Sequence, residues 1–477
     1  MLGYRTPYIG KWHLSDPPTT HQNTYLERYG FHGFIIPGAL NSNPDPVGVN
    51  GEGQLRDTPD IAATAVQWLQ QNARKGGPFC LTVSFVNPHD KQYFWAGSEG
   101  DSYESMFSGQ SLKAFNTGYQ SQPNEDDPPP LEFPAVPPNW ESYDQLAEHG
   151  KPGTQQVFRS FQELVWGGVT DDPSATTFSL QPSPNRPSTY GVAVSPYSYW
   201  QRGLDMYTQV LHMVDQSIGE VLRAIPKSQL GNTLIVFASD HGEYAGAHGM
   251  LSGKIGTAYD EAIRIPMIVT DPSGRFTRAI DKPRRQMTSS VDILPLLVTL
   301  GNRGSSSWMT GRLEKIYGER LNIVKLLRNP GARGRSHVLF STDEVMPAVL
   351  NYQHAPTHVL AVRTSESKCV TYTHWVPGTT RPIPESMQLE FYDYSTEEGR
   401  AETRSLPDDP RAKAMARRLF NQYVPQQMEA PLPAPLKRTV ARARASYIEF
   451  EAMTNGLTPE DLEAGKLQRL AGYGTVF

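Results

Sequence analysis

Three short apolar runs in this chain each stop abruptly at cationic, imidazole or carboxylate groups, and that repeated layout constrains the fold more than any other feature. Leu234-Ile235-Val236-Phe237 leads into Ser239-Asp240-His241-Gly242-Glu243, with Ala247-His248-Gly249 and Gly253-Lys254 close behind. Pro7-Tyr8-Ile9 ends in Gly10-Lys11-Trp12-His13, and the run from Leu81 to Val86 ends in Asn87-Pro88-His89-Asp90. Short apolar runs bounded by turn residues read as buried strands. In open α/β sheets, ligands bind where the carboxyl ends of the strands open. The expectation is that Lys11, His13, His89, Asp240, His241 and Lys254 surround one pocket at one rim of the sheet, a mixture of groups that suits a metal and an anion.

Between these runs the pattern is that of a large α/β chain. Ile61 to Gln71 reads as an amphipathic helix behind the start signal Thr58-Pro59-Asp60, and Tyr199 to Ile225 as a long helix with Leu204, Val210, Leu211, Val214, Ile218 and Leu222 near helical spacing. Residues 95–195 lose periodicity and are rich in proline, so they are expected to form an irregular insertion that walls the substrate pocket. Beyond the helix Asp292 to Leu300, the runs His337 to Phe340, Val359 to Val362 and Cys369 to Tyr372 predict a smaller antiparallel sheet. The division is thus residues 1–334, a catalytic α/β part, and residues 335–477, a C-terminal subdomain and helical tail.

A chain of 477 residues is long enough for two or three domains of about 150 residues. Its net charge of -5 gives no support to nucleic-acid binding, so any field that attracts an anion must be local. Two cysteines, Cys80 and Cys369, make no disulfide framework. Cys80, beside an apolar strand, reads as a core residue. No apolar run approaches the ~18 residues of a membrane span. The basic cluster Lys437-Arg438 with Arg442 and Arg444 reads as a solvated helix face.

The chain resembles the sulfatase family of the alkaline-phosphatase superfamily at several of these places. Gly3 to Leu14, with Gly10-Lys11-Trp12-His13, is similar to the family's second signature; Ser239 to Glu243 is similar to its metal-binding strand, and Gly253-Lys254 through Tyr259 to Pro266 to its sulfate-binding lysine segment. Weaker similarity lies at Val214-Asp215, at Ser290 to Pro295 and at Phe391 to Tyr394. One departure stands out, since the family has a proline two residues after the histidine that corresponds to His89, and this chain has Lys91 there.

The resemblance implies a sulfatase-like α/β/α sandwich with a smaller C-terminal antiparallel-sheet subdomain, and hydrolysis of a small-molecule or glycan sulfate ester. It implies a divalent cation, calcium or alternatively magnesium, with Asp240 and His241 among its ligands. It also implies Lys11, His89 and Lys254 on the sulfate and His13 beside the nucleophile. In the family an Asp-Asp strand and a C/S-x-P-x-R element, oxidised to formylglycine, precede the signature that here begins almost at Met1, and neither Cys80 nor Cys369 is followed by the Pro and Arg of that element. The expectation is a chain that starts downstream of its first strand and its formylglycine, inactive and weak in metal binding by itself, and short of solubility for want of a strand partner. A phosphomonoester or phosphonate ester hydrolase of the same superfamily, and a non-enzymatic anion-binding relative, are the alternatives.

The chemistry supports those roles. A sulfate monoester spreads negative charge over three peripheral oxygens, so catalysis is mainly positioning and electrostatic stabilisation, by analogy with phosphoryl transfer. Lys11 and Lys254 supply fixed positive charge. His89 can hydrogen-bond a sulfate oxygen or protonate the departing alkoxide, and an imidazole at His13 can take a proton as sulfate leaves. Asp240 offers the hard oxygen that calcium or magnesium prefers. Glu243 reads as a cap or supporting acceptor, His248 as a supporting group or a turn residue, and Trp12 as packing.

Overall fold

A computed structural model describes residues 2–12, 14, 24–35, 57–89, 91, 113–114, 135–182, 190–344, 356, 358–375 and 380–428. His13, residues 95–112 of the insertion and the basic cluster at 437–444 lie outside the described residues.

Strands β1 (Tyr8–Gly10), β2 (Phe34–Ile35) and β3 (Thr82–Ser84) form a parallel sheet in the order β2-β1-β3, with Tyr8 opposite Thr82 and Gly10 opposite Ser84. Parallel strands are usually covered on both faces, and β1 is buried throughout, whereas β3 is only partly buried. Ile9, fully buried, packs with Ile61, Ala65 and Val86, joined by Trp68 of the helix Ala63–Asn72 and Val221 of the helix Tyr199–Arg223. Burying a side chain such as Ile9 contributes about 1.5–3 kcal/mol. The helices anticipated at Ile61 to Gln71 and Tyr199 to Ile225 are therefore present within a residue or two, the first preceded by a wider π-helical turn over Asp57–Ala62.

The remaining strands are β4 (Lys113–Ala114), β5 (Gly168–Val169), β6 (Ser179–Pro182), β7 (Tyr190–Ser195), β8 (Ile235–Ala238), β9 (Met267–Thr270), β10 (Val338–Asp343), β11 (His358–Arg363), β12 (Ser367–Thr373) and β13 (Gln388–Asp393). Strand β8 pairs antiparallel with β9, Ile235 opposite Thr270. Among the described residues β8 shares no ladder with β1 or β3, so the expected rim is built from two sheets and not one.

The reading of residues 95–195 as irregular is corrected where they are described. A helix spans Gly153–Trp166 and another Tyr143–Glu148, the latter opened by a capping box in which Ser142 and Gln145 satisfy each other's backbone N–H. Strands β5 and β7 lie parallel to one another and β6 runs antiparallel to β7. Val157, Phe158, Phe161 and Leu164 do repeat at helical spacing, but prolines on both sides obscure the pattern in the sequence.

The C-terminal sheet has the order β10-β11-β12-β13, antiparallel throughout. Alternation of side chains across a strand gives it two covered faces. Leu360, Val362, Cys369 and Phe391 pack on Ala412 and Ala416 of the helix Pro410–Arg418. Val359, Ala361, Val370 and Tyr372 face the other way, onto Phe158 and Ala258. Phe158 thus carries the sheet onto the segment that follows Lys254. Cys369 is buried, whereas Cys80 is only partly buried and belongs to no core cluster among the described residues, which corrects its reading as a core residue.

Candidate anion site

Gly10 ends β1 at a φ of +108°, and a Cβ there would collide with the Ser84 carbonyl oxygen, so only glycine lets the two strands close at this point. The turn that follows is fixed by Lys11, whose N–H donates to the Ser84 oxygen at 3.0 Å, and by the Tyr8 hydroxyl, which donates to the Lys11 carbonyl at 2.6 Å. Burial pushes the Tyr8 hydroxyl pKa up, opposed by a hydrogen bond with Ser84, while the nearby charge of Asp240 raises it further. Sequence reasoning missed Tyr8 as a neighbour of the site, because nothing in its strand position distinguishes it from packing.

At the end of β8, Ser239 donates to the His241 carbonyl at 2.6 Å and the His241 N–H donates to Asp240 Oδ1 at 3.0 Å. Gly242 N–H and Glu243 N–H donate to the carbonyls of Ala262 and Glu261, at 2.8 and 2.9 Å. A Cβ on Gly242 would strike the Glu261 carbonyl. Imidazole Nδ1 of His241 lies 2.8 Å from the Gly242 carbonyl, which can only accept; Nδ1 therefore carries the proton and Nε2, 3.4 Å from Asp240 Oδ2, keeps its lone pair. Asp240 is largely exposed, its side chain 77% accessible. The partial desolvation it does undergo would raise its pKa, but the facing imidazole of His241, a backbone N–H and Lys11 outweigh it and hold the carboxyl below its usual value.

His89 is reached by the charges of Lys11, Lys254, Glu243 and His241 together. Desolvation, then Lys11 and Lys254, push its pKa down to about 3, so it stands as a neutral imidazole near pH 7. The pKa of His241 is likewise lowered, by desolvation first and Lys254 second, against the pull of Asp240. Of the six anticipated side chains, Lys11, Lys254 and His241 act on His89, Lys11 and His241 act on Asp240, and Lys254 acts on His241, so five are linked through shared neighbours; the sixth, His13, lies outside the described residues.

Behind this front lies a supporting layer. Glu243 takes the Lys91 ammonium at 3.0 Å and the Gly253 N–H at 2.8 and 3.0 Å. His248, fully buried in a left-handed turn at φ +55°, lies 2.8 Å from Glu141 and 3.2 Å from Glu261 and stacks on Tyr259 at 3.7 Å. Lys151 and His149 complete the same network on Glu141. Asp260 is gripped by Arg363 at 2.9 Å and Lys368 at 3.3 Å, both from the C-terminal sheet; burial pushes its carboxyl up, but Lys368 and Arg363 prevail and hold it at about 2. Glu344, at the end of β10, accepts the Gly256 N–H at 3.2 Å and feels the charge of Lys254. No local motif marks Glu344, since it reaches the site only through the tertiary fold.

Calcium takes about six to eight oxygen ligands. Asp240 and His241 offer one carboxylate and one imidazole, and the described residues contain no group of three or more His, Cys, Asp or Glu able to hold a metal ion. Asp240 and His241 by themselves do not make a closed metal site.

A sequence profile of the sulfatase family matches residues 1–302. The chain belongs to the sulfatase family. It is 26% identical over 322 residues to the uncharacterised sulfatase YidJ of Escherichia coli (strain K12), a match covering 63% of this chain and 50% of the relative. It is 25% identical over 391 residues to an ulvan-active sulfatase of Formosa agariphila, covering 79% of this chain and 56% of that one. The chain therefore spans about half the length of the curated relatives it matches. In fold it is similar to the solved structure of BT1596, a 2-O GAG sulfatase, with a TM-score of 0.53, 18% identity, and coverage of 90% of this chain and 73% of that one. The α/β architecture with its C-terminal antiparallel sheet agrees with that fold.

Proposed function

We propose that this chain supplies the anion-holding face of a sulfuric ester hydrolase, with a glycan sulfate ester as the substrate class. The observation that carries the reading is that Lys11, Lys254 and His241, from separate strand ends, all act on His89. Two ammonium groups placed around a neutral imidazole match an anion whose charge is spread over several oxygens. Lys11 and Lys254 bind the peripheral sulfate oxygens and take up charge as it develops. His89, neutral near pH 7, donates one N–H to a sulfate oxygen; the bound anion raises its basicity and so brings it toward the range where it can protonate the departing alkoxide. The glycan preference rests on the ulvan-active relative.

Asp240 and His241 are the residues we assign toward a divalent cation, calcium or magnesium, as two contributors to its shell. The carboxylate, held ionised, and the lone pair on His241 Nε2 support that role. Such an ion would supply a Lewis acid that polarises the sulfate. His13 is assigned beside the nucleophile on the family resemblance alone.

Isothermal titration with inorganic sulfate tests the reading. The parent chain is expected to bind sulfate with an affinity that falls as salt is added, and Lys254→Ala and Lys11→Ala are each expected to lose at least tenfold. Sulfate binding that is absent, or unchanged in both variants, would overturn it. Titration with inorganic phosphate in parallel separates a sulfate preference from a general oxyanion site.

A further inference from the structure

His89, the Asp240-His241 turn and Lys254 come from three separate segments, and one buried ion pair touches all three. Lys91 lies two residues after His89 and is 1% exposed. Its ammonium donates to Glu243 Oε1 at 3.0 Å and to the Leu251 carbonyl. Glu243 lies two residues after His241, and both its oxygens accept the N–H of Gly253, the residue before Lys254, while Oε1 also takes the Ala245 N–H at 3.3 Å. Tyr244 N–H completes the join by donating to the Gly253 carbonyl at 3.0 Å.

We infer that Lys91 and Glu243 are positioning residues for the anion site, a clamp that sets the spacing of His89, His241 and Lys254. This rests on the reading of those groups as an anion site. A buried charge pair is a weak source of net stability, because desolvation of both ions offsets their attraction. Its satisfied geometry does fix register, since every other placement of the two loops leaves an ammonium or a carboxylate buried without a partner. The pair therefore sets where Lys254 stands and contributes comparatively little to whether the chain folds. The substitution of a lysine for proline at this position of the family pattern gives the loop after β3 a tether that a proline side chain has no group to make.

Lys91→Met, which keeps the length of the stem and removes the charge, tests the clamp on the full chain. Arg335→Met is the control, since it too breaks an ion pair to a fully buried carboxylate, that of Asp292, and the bonds of that pair do not involve Lys91, Glu243 or Gly253. Two readouts are taken at a temperature below all melting transitions: the affinity for inorganic sulfate, and hydrogen exchange of the Gly253 and Lys254 amides. The clamp predicts at least a tenfold loss of sulfate affinity and faster exchange at both amides in Lys91→Met, with neither change in Arg335→Met, and recovery of a large part of both in Lys91→Arg. Parent-like affinity and exchange in Lys91→Met would overturn it, as would equal losses in Lys91→Met and Arg335→Met. If the parent chain binds no sulfate, the anion-site reading fails, and the clamp is decided by amide exchange alone: unchanged protection of Gly253 refutes it.

Discussion

Replacing Glu344 by glutamine should stabilise this protein, and by an amount that depends on pH in a defined direction. The Glu344 carboxyl accepts the Gly256 N–H at 3.2 Å and the Thr342 hydroxyl at 3.0 Å. Burial nonetheless pushes its pKa from 4.5 up to about 7, against those two donors and the positive charge of Lys254. Between pH 4.5 and 7 the folded chain holds a proton that the unfolded chain has released, so stability falls as pH rises through that window and levels off above it. At about 1.4 kcal/mol for each tenfold change in proton affinity, the cost reaches about 3 kcal/mol at pH 8. Glu344→Gln keeps an acceptor oxygen for Gly256 and removes the ionisation. Urea unfolding followed by tryptophan fluorescence at pH 4.5, 5.5, 6.5 and 8 should show the variant close to the parent at the acid end and more stable by about 2–3 kcal/mol at pH 8. A constant offset at every pH, or a variant that is less stable at pH 8, would refute the reasoning from burial.

Other substitutions probe the framework. Gly242→Ala and Gly10→Ala place a methyl against the carbonyls of Glu261 and Ser84, and Gly10 also sits at positive φ; each should cost about 2 kcal/mol or more by chemical denaturation, and equal stability would show that the strand ends tolerate separation. Asp292→Ala removes the acceptor for Arg335 and for the N–H groups of Ser289 and Leu321, and a loss of about 3–5 kcal/mol in thermal unfolding is expected.

The strands and helices that carry the site are legible in the sequence because their chemistry is local. Apolar runs such as Tyr8-Ile9 and Leu81 to Val86 are followed within three residues by Lys11 or His89, so the run and its end signal lie side by side. The helix Gly153–Trp166 is harder to see, although its Phe158 and Phe161 repeat correctly, since the flanking prolines suggest loop on both sides. Lys91 is visible only as a departure from a pattern. Its partner Glu243 lies 152 residues away, and no spacing rule reaches that far. The same holds for Glu344, whose effect on the site depends on how β10 docks against Gly256. The separation of β8 from the β2-β1-β3 ladder is likewise hidden, because an apolar run states that a strand is buried and not which strand lies beside it.

The grip of Arg363 and Lys368 on Asp260 changes how the C-terminal sheet should be regarded. Asp260 is followed by Glu261 and Ala262, whose carbonyls hold the turn bearing Asp240 and His241. The C-terminal sheet is thus the foundation under that turn. Two stretches of chain that composition alone would set apart share one foundation wall, and a chain ending before residue 358 would leave the segment under the strand-end groups without the two cations that hold Asp260.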